Sequence, residues 1–297
     1  MIDKLEFLLA LARERHFGRA AESCGVTQPT LSAAVKHLED NLGILLVNRG
    51  SRFRDFTAEG ERVLDWARRI IGDAQAMRQE IDALRHGLTG RLRIGVVQAA
   101  LGAVEDLTSP YHERHPEVRL TILAATAEII VQFLENLEID AGITYLEPET
   151  TSRFAAIPLY RETYCLVTPA DAPLGNRHKV KWAEVAQLQL CLPTPDTQSR
   201  RNIEALLRTG GGDPRSILES NSMLVLYAHV RTGRWATVLP SQLAGALGIP
   251  EPLRAIPIVE PEARHTIGLV VPLRQPLKPL TAALVVEAQR VAEKLQD

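Results

Sequence analysis

A long run of regular apolar spacing that stops at a pair of glycines constrains this chain more than any other feature. From about Ala58, the residues Val63, Ala67, Ile70, Ala74, Met77, Ile81 and Leu84 step alternately by four and three, with Asp, Arg, Gln and Glu between them, until "RHGLTG" at 85–90 breaks the pattern. Such steps keep one stripe on one side of an α-helix, and about 28 residues of helix reach roughly 40 Å. A stripe so thin and so long predicts a partner helix and hence dimerisation, while packing of one amphipathic helix on its own domain is the plainer reading. Either way the glycines end the helix. The chain therefore divides into residues 1–58, a linker helix and hinge over 59–88, and 89–297.

A chain of 297 residues with 45% apolar side chains can fill two or three units of this kind. No uninterrupted apolar run approaches the ~20 residues of a membrane helix, and "MIDKLEFLLALARER" carries charges throughout, so neither a membrane span nor an export signal is expected. The expected location is cytoplasmic. Cys24, Cys165 and Cys191 are odd in number and far apart, which fits neither a disulfide framework nor paired metal ligands. They read as small buried apolar residues.

In the first unit, Asp3 and Glu6 have capping-box spacing, and Leu5, Leu8, Leu9, Leu11 and Ala12 recur at helical intervals as far as Arg15. A second short helix over 19–24 ends at Gly25, where glycine takes a left-handed turn most cheaply. Thr27 is placed to cap a third helix starting near Gln28, with Pro29 in its first turn. On that helix Leu31, Val35 and Leu38 share a stripe, while Pro29, Ser32, Ala33 and Lys36 point the opposite way. A small polar face behind a tight turn can enter a DNA major groove and offer the groups of Gln28, Thr30, Ser32 and Lys36 to base edges and phosphates. A solvated helical hairpin is the plainer reading of the same spacing. Residues 1–60 hold eight Lys/Arg and eight Asp/Glu, so no net positive charge supports DNA binding. Distribution does: Arg49, Arg52 and Arg54 cluster in "LLVNRGSRFRDFTAEG", where "RFRDF" reads as a hairpin strand able to lay arginines along a phosphate backbone.

Past Arg91 the texture changes. "RLRIGVV", "VRLTILA", "DAGITYL", "ETYCLVTPA", "LQLCLPT", "ATVLP" and "TIGLVV" read as strands, alternating with helices near 102–114, 126–138, 199–209, 222–233 and 278–296. The alternation predicts a mostly parallel, doubly wound α/β architecture. Proline-bearing stretches near 158–161 and 257–264 precede strands that look like crossings, which predicts lobe I over 89–161 and 265–297, lobe II over 162–264, and a ligand-binding cleft between them.

The stretch "HFGRAAESCGVTQPTLSAAVKHLEDNLGILLVNRGSRFRDFTAEG" resembles the N-terminal domain of LysR-type transcriptional regulators, through its Thr-Gln-Pro, Leu38-Glu39, Leu42-Gly43, Arg49 after "LLVN", and Thr57-x-x-Gly60. Ala33 stands where that family usually carries Arg, Lys or Gln. "LEIDAGITYL" and "VRTGRWATVLP" at 230–240 resemble the family's effector-binding domain, with Trp235 where Gly is common. The resemblance spans essentially the whole chain. It implies an all-α winged helix-turn-helix domain binding promoter DNA, a homodimer or homotetramer formed through residues 59–84 and the effector domain, and a two-lobed domain similar to periplasmic solute-binding proteins. A small effector would bias the geometry of its lobes.

Candidate effector contacts lie where helices start at the cleft. In the family the turn after the first strand usually offers Ser or Thr to a ligand carboxylate; here it is Gln98, Ala99 and Ala100. Thr126 opens the next helix, and Thr197, Gln198 and Ser199 open the first helix of lobe II, where hydroxyls and a positive dipole suit an anion. Ordinary helix capping is the plainer role for each. Arg200 and Arg201 face either the cleft or water. Against catalysis, no Gly-x-Ser-x-Gly, Walker or Gly-x-Gly-x-x-Gly motif occurs, and among eight histidines the nearest thing to a ligand pair is His112-Glu113-Arg114-His115. No enzyme activity, cofactor or metal is expected. A thiol-based redox sensor is the alternative regulator, but it needs reachable cysteines, and the strand-like settings of Cys165 and Cys191 predict burial.

Overall fold

The computed structural model describes residues 1–49, 53–212, 216–263 and 265–296. They form two compact units: Met1–Gly87 with the short segments Glu135–Glu138 and Gln275–Pro279, and the remainder.

In the first unit, α1 (Ile2–Glu14) buries Leu5, Leu8, Leu9 and Leu11. The expected capping box is not formed. Met1 is the N-cap, and its carbonyl accepts the N–H groups of Lys4 and Leu5, so Asp3 lies inside the first turn, where its charge suits the helix dipole. Helix α2 (Phe17–Ser23) starts earlier than its spacing predicts because the His16 ring caps it: Nδ1 accepts the N–H groups of Gly18 at 3.1 Å and Arg19 at 3.3 Å. Gly25, at φ +67°, makes the expected left-handed turn. Thr27 caps α3 (Gln28–Leu42), which buries Leu31, Val35 and Leu38 against the unit's core.

Strands β1 (Val47–Arg49) and β2 (Phe53–Phe56) pair antiparallel as a wing, so this domain is not wholly α. The buried Glu39 carboxylate holds the chain entering the wing, accepting the N–H groups of Leu46 at 3.0 Å and Val47 at 3.3 Å. Helix α4 (Ala58–His86), capped by Thr57, starts against the same backbone: a methyl on Gly60 would lie 2.1 Å from the Leu46 carbonyl oxygen, which leaves room only for glycine. The apolar residues of α4 divide between two stripes. Val63, Leu64, Ala67 and Ile71 pack into the unit's own core, whereas Trp66, Ile70, Met77, Ile81 and Leu84 are exposed. Val63 and Ala67 thus leave the predicted seam, since the first turns of α4 cross their own domain.

The second unit runs β3 (Gly90–Val97), a short 3-10 helix (Gln98–Ala103), α5 (Glu105–Arg114), β4 (Val118–Ala125), α6 (Ala127–Glu135), β5 (Ala141–Tyr145), α7 (Pro148–Thr151) and β6 (Phe154–Arg161). It continues with β7 (Tyr164–Pro169), β8 (Val180–Lys181), α8 (Trp182–Val185), β9 (Leu190–Pro193), α9 (Gln198–Thr209), β10 (Ser216–Ser220), α10 (Met223–Val230), β11 (Ala236–Pro240), α11 (Ser241–Leu247) and β12 (Leu253–Val259). Strand β13 (Thr266–Pro272) and α12 (Pro279–Gln296) close it. Two sheets result, in orders β4-β3-β5-β13-β6 and β10-β9-β11-β7-β12-β8. The chain passes between them twice, from β6 to β7 and from β12 to β13, and the Glu162 N–H donates to the His265 carbonyl where the two passages meet.

Both sheets are mixed rather than mostly parallel. Strands β3, β4 and β5 are mutually parallel, but β13 runs antiparallel to β5 and β6, because a strand arriving from the other lobe enters its sheet from the opposite end. The alternation of β7 shows why this architecture holds: Tyr164 and Leu166 pack on one face with Trp182, Ile203 and Leu207, and Cys165 and Val167 on the other with Leu226, Val230 and Leu243. Covered on both faces, the strand reads as a continuous apolar run. Strand β6 was not expected because Pro158 interrupts its pattern; it lies at a sheet edge, where a missing N–H is tolerated. Among the described residues no helix is long and apolar enough to cross a membrane.

Candidate functional site

Gln28, Pro29, Thr30, Ser32, Ala33 and Lys36 are all exposed on α3. This face offers an amide, two hydroxyls and an ammonium beyond the Gly25 turn, the chemistry needed for base edges and phosphates. Arg54 is exposed on β2, the backbone of Arg49 ends β1, and Arg52 lies outside the described residues. The wing is fixed relative to α2 by Phe53, whose ring meets Phe17 at 6.2 Å and Phe56 at 5.2 Å, and is braced by an Asn48–Asp55 hydrogen bond of 2.6 Å. Sequence reasoning missed these supports and named Glu39 only as part of a motif, since each depends on contacts between residues distant in the chain.

Between the lobes of the second unit lies a cavity of about 240 Å³. Gln98, Ala99, Thr126, Thr197, Gln198 and Ser199 line it, together with Tyr145, Asn221 and Met223, which the sequence did not single out. Ala100 is fully buried and is not part of the lining. The hydroxyls at the helix starts differ in what they are free to do. Thr126 Oγ1 accepts the Ile129 N–H at 3.4 Å. Thr197 Oγ1 donates to the Thr194 carbonyl at 2.9 Å and accepts the Arg200 N–H at 3.3 Å, which commits it to capping α9. Ser199 is 5% exposed, and its Oγ has no partner among the described residues. It neighbours the Tyr145 hydroxyl and favours that group's ionised form, without a bond of ordinary geometry.

The two arginines point different ways. Arg200 is buried and turned into its own lobe, bonded to the Pro193 carbonyl at 2.6 Å, Glu204 at 2.7 Å and Glu219 at 2.9 Å. Arg201 reaches from α9 to Glu128 on α6 at 2.6 Å.

Beside Tyr145 stands Glu162, in the first passage between lobes and only 1% exposed. Its Oε1 accepts the Tyr145 hydroxyl at 2.9 Å, and its Oε2 accepts the Tyr164 hydroxyl. Burial pushes this carboxyl up to about 7, although the Tyr164 and Tyr145 hydroxyls and the Asn202 amide pull it down. The Tyr145 and Tyr164 hydroxyls are raised in turn, first by burial and then by the Glu162 charge.

Thiols and metal ligands offer little chemistry. Cys165 and Cys191 are 3% and 0% exposed, and burial pushes the Cys165 thiol up to about 12 and that of Cys191 upward. They sit on β7 and β9, opposite Leu239 and Thr237 of the intervening β11. Two strand spacings, about 9–10 Å, exceed the reach of a disulfide. Among the described residues no group of three or more His, Cys, Asp or Glu is placed to hold a metal ion.

Two family models match the chain: the bacterial regulatory helix-turn-helix protein of the lysR family over residues 2–61, and the LysR substrate binding domain over residues 85–293. The DNA-binding transcriptional dual regulator OxyR of Escherichia coli K12 is 30% identical over 283 residues, covering 93% of this chain and 91% of OxyR. A hydrogen peroxide-inducible genes activator of Dickeya chrysanthemi is 28% identical, covering 99% of this chain and 96% of that protein. The solved structure of a full-length OxyR variant from Pseudomonas aeruginosa superposes with a TM-score of 0.76 at 26% identity, covering 98% of this chain and 97% of that one.

The raised Glu162 carboxyl fixes a sign for stability against pH. Between the ordinary value of 4.5 and about 7, the folded protein holds a proton that the unfolded chain releases, so stability falls as pH rises through that window and levels off above it. Glu162→Gln should flatten this part of the profile and stabilise the protein by up to roughly 3 kcal/mol at about pH 8, read from urea unfolding. An unchanged slope in the variant would assign the pH dependence to other groups.

Proposed function

The chain belongs to the LysR family of bacterial helix-turn-helix regulators, and from that premise we propose that it works as a homo-oligomer whose interlobe cavity takes a small anion. It is a DNA-binding transcription regulator with an effector-binding domain, not an enzyme. In our reading Gln28, Thr30 and Ser32 meet base edges, while Lys36 and the wing arginines Arg49, Arg52 and Arg54 meet phosphates, with Pro29 and Ala33 allowing close approach.

The observation that carries the effector reading is the unpartnered, 5% exposed Ser199 hydroxyl at the start of α9. A buried hydroxyl without a partner is costly, and an anion at a helix N-terminus supplies the missing acceptor. Ala99, Ala124, Ala125, Ile129 and Met223 on the cavity wall suit a short apolar body. A small carboxylate with a few carbons fits both parts. The Dickeya chrysanthemi relative is named a hydrogen peroxide-inducible genes activator; a thiol switch in this chain would run through Cys24, Cys165 or Cys191, and two of these are buried with raised thiols, the reverse of a reactive thiolate.

Assembly follows from α4. Trp66, Ile70, Met77, Ile81 and Leu84 are 40–83% exposed, and at about 100° per residue they fall within a sector of roughly 60°. This narrow apolar seam suits the same helix of a second copy.

Two outcomes test the reading. Thermal-shift titration of the full chain with short-chain carboxylates should find a stabilising anion, and Ser199→Ala should weaken it by roughly 10–100-fold. Thr197→Ala should cost about 1 kcal/mol of stability and leave the affinity near wild type. Equal losses in both variants would make Ser199 no more than a cap residue. For assembly, replacing Ile70 and Met77 together by Asp should convert the oligomer to a smaller species in sedimentation, because unpaired charges in an apolar seam cost several kcal/mol each. Unchanged mass would place the interface elsewhere.

A further inference from the structure

We propose that Glu162 sets the direction in which the Tyr145 hydroxyl donates, so that the interlobe cavity takes up its anion together with a proton that ends on Glu162. The inference rests on the anion reading of the cavity and adds its regulation by protons. Its basis is a chain of three side chains. Ser199 and Tyr145 both line the cavity, and Tyr145 alone of the two is hydrogen bonded to Glu162, at 2.9 Å. A phenol has one proton to give.

While Glu162 is ionised, Oε1 can only accept, so the Tyr145 proton points away from the cavity. The Tyr145 lone pairs then face the cavity beside Ser199, where an anion would sit. When a solvent proton binds Oε1, the new O–H donates to the Tyr145 oxygen, and the Tyr145 proton is free to turn toward the cavity beside the Ser199 hydroxyl. The cavity then offers two donors. No bond other than O–H is made or broken, and the net reaction is the binding of one anion and one proton. Charge acts in the same direction, because an anion at Ser199 lies near the Glu162 carboxylate and opposes its ionisation. Burial already poises this carboxyl near neutrality, pushed up to about 7, so a modest extra push changes its state.

Other titratable groups surround the relay. Tyr160 on β6 and Tyr164 on β7 are both raised by burial first and by Glu162 second, and Asp106 adds to the rise at Tyr160. Asn202 on α9 is neutral. His265, in the second passage, stands edge-on to the Tyr145 ring at 6.4 Å, with Nδ1 3.8 Å from Glu147. It is the other ionisable side chain packed against Tyr145, and its variant serves as the control.

The experiment is calorimetric titration of the full-length protein with isovalerate and with sulfate, neither of which titrates between about pH 5.5 and 8.5. In wild type the affinity should fall about tenfold per pH unit above about 7 and level off below it, and the heat at high pH should vary with buffer ionisation enthalpy as for uptake of about one proton. Glu162→Gln can donate to Tyr145 at every pH; it should bind roughly 30-fold more tightly than wild type at about pH 8.5 and show no pH dependence. Tyr145→Phe should bind more weakly than wild type below about pH 7 and show a shallower pH dependence, since only the charge of Glu162 remains to couple the proton. His265→Gln should keep the wild-type profile. Binding that is flat with pH in wild type, or a pH dependence that survives in Glu162→Gln or disappears in His265→Gln, overturns the relay while leaving the anion site standing. Failure of both anions to bind wild type at any pH overturns the anion site and the relay with it.

Discussion

The second unit depends on one constraint: the chain passes between its two sheets twice, and where the passages meet it buries a carboxyl group. Glu162 lies between β6 of one lobe and β7 of the other, its N–H bound to the His265 carbonyl of the returning passage. Its side chain takes one tyrosine hydroxyl from each lobe, Tyr145 at the end of β5 and Tyr164 at the start of β7. An ionised carboxylate 1% exposed needs more donors than two phenols supply, which is why burial dominates its titration. The groups that join the lobes are therefore the groups whose hydrogen bonds depend on one proton.

The cavity inherits its character from the same topology. Strand ends and helix starts from both lobes converge beside the passages, so the walls combine small apolar residues with hydroxyls, side-chain amides and the Asp196 carboxylate. Capping uses up most of the hydroxyls. Thr126 and Thr197 each accept a backbone N–H from their own helix, and Ser199, one residue inside the helix, is left over. The DNA-binding unit solves a separate problem of support: Glu39 and Gly60 fix the chain at either end of the wing, and Phe53 docks it on α2.

Much of this was legible in the sequence where local rules decide. The Gly25 turn, the Thr27 cap and the buried stripe of α3 follow from spacing and residue type, and so do the apolar strands of the doubly covered sheets. What failed to show were features in which distant residues compete. A histidine cap on α2 is outside the usual set of Ser, Thr, Asp and Asn, so Phe17 was not seen as a helix start. The seam of α4 mixed two stripes because the angle between them is small, and only the position of the domain core tells Ala67 from Ile70. Thr197 and Ser199 look alike in sequence; the Thr194 carbonyl decides which hydroxyl is committed. Glu162 carried no motif, since its meaning depends on tyrosines from two other strands.

The most direct test is a carboxyl 13C NMR titration of the full-length protein labelled at glutamate side chains, with Glu162→Gln as the assignment control. One resonance absent from the variant should titrate near pH 7, as burial of this carboxyl between the lobes requires. A missing resonance that titrates near 4.5, the ordinary value, would mean that water reaches Glu162 and that the lobes are not joined through a buried carboxyl.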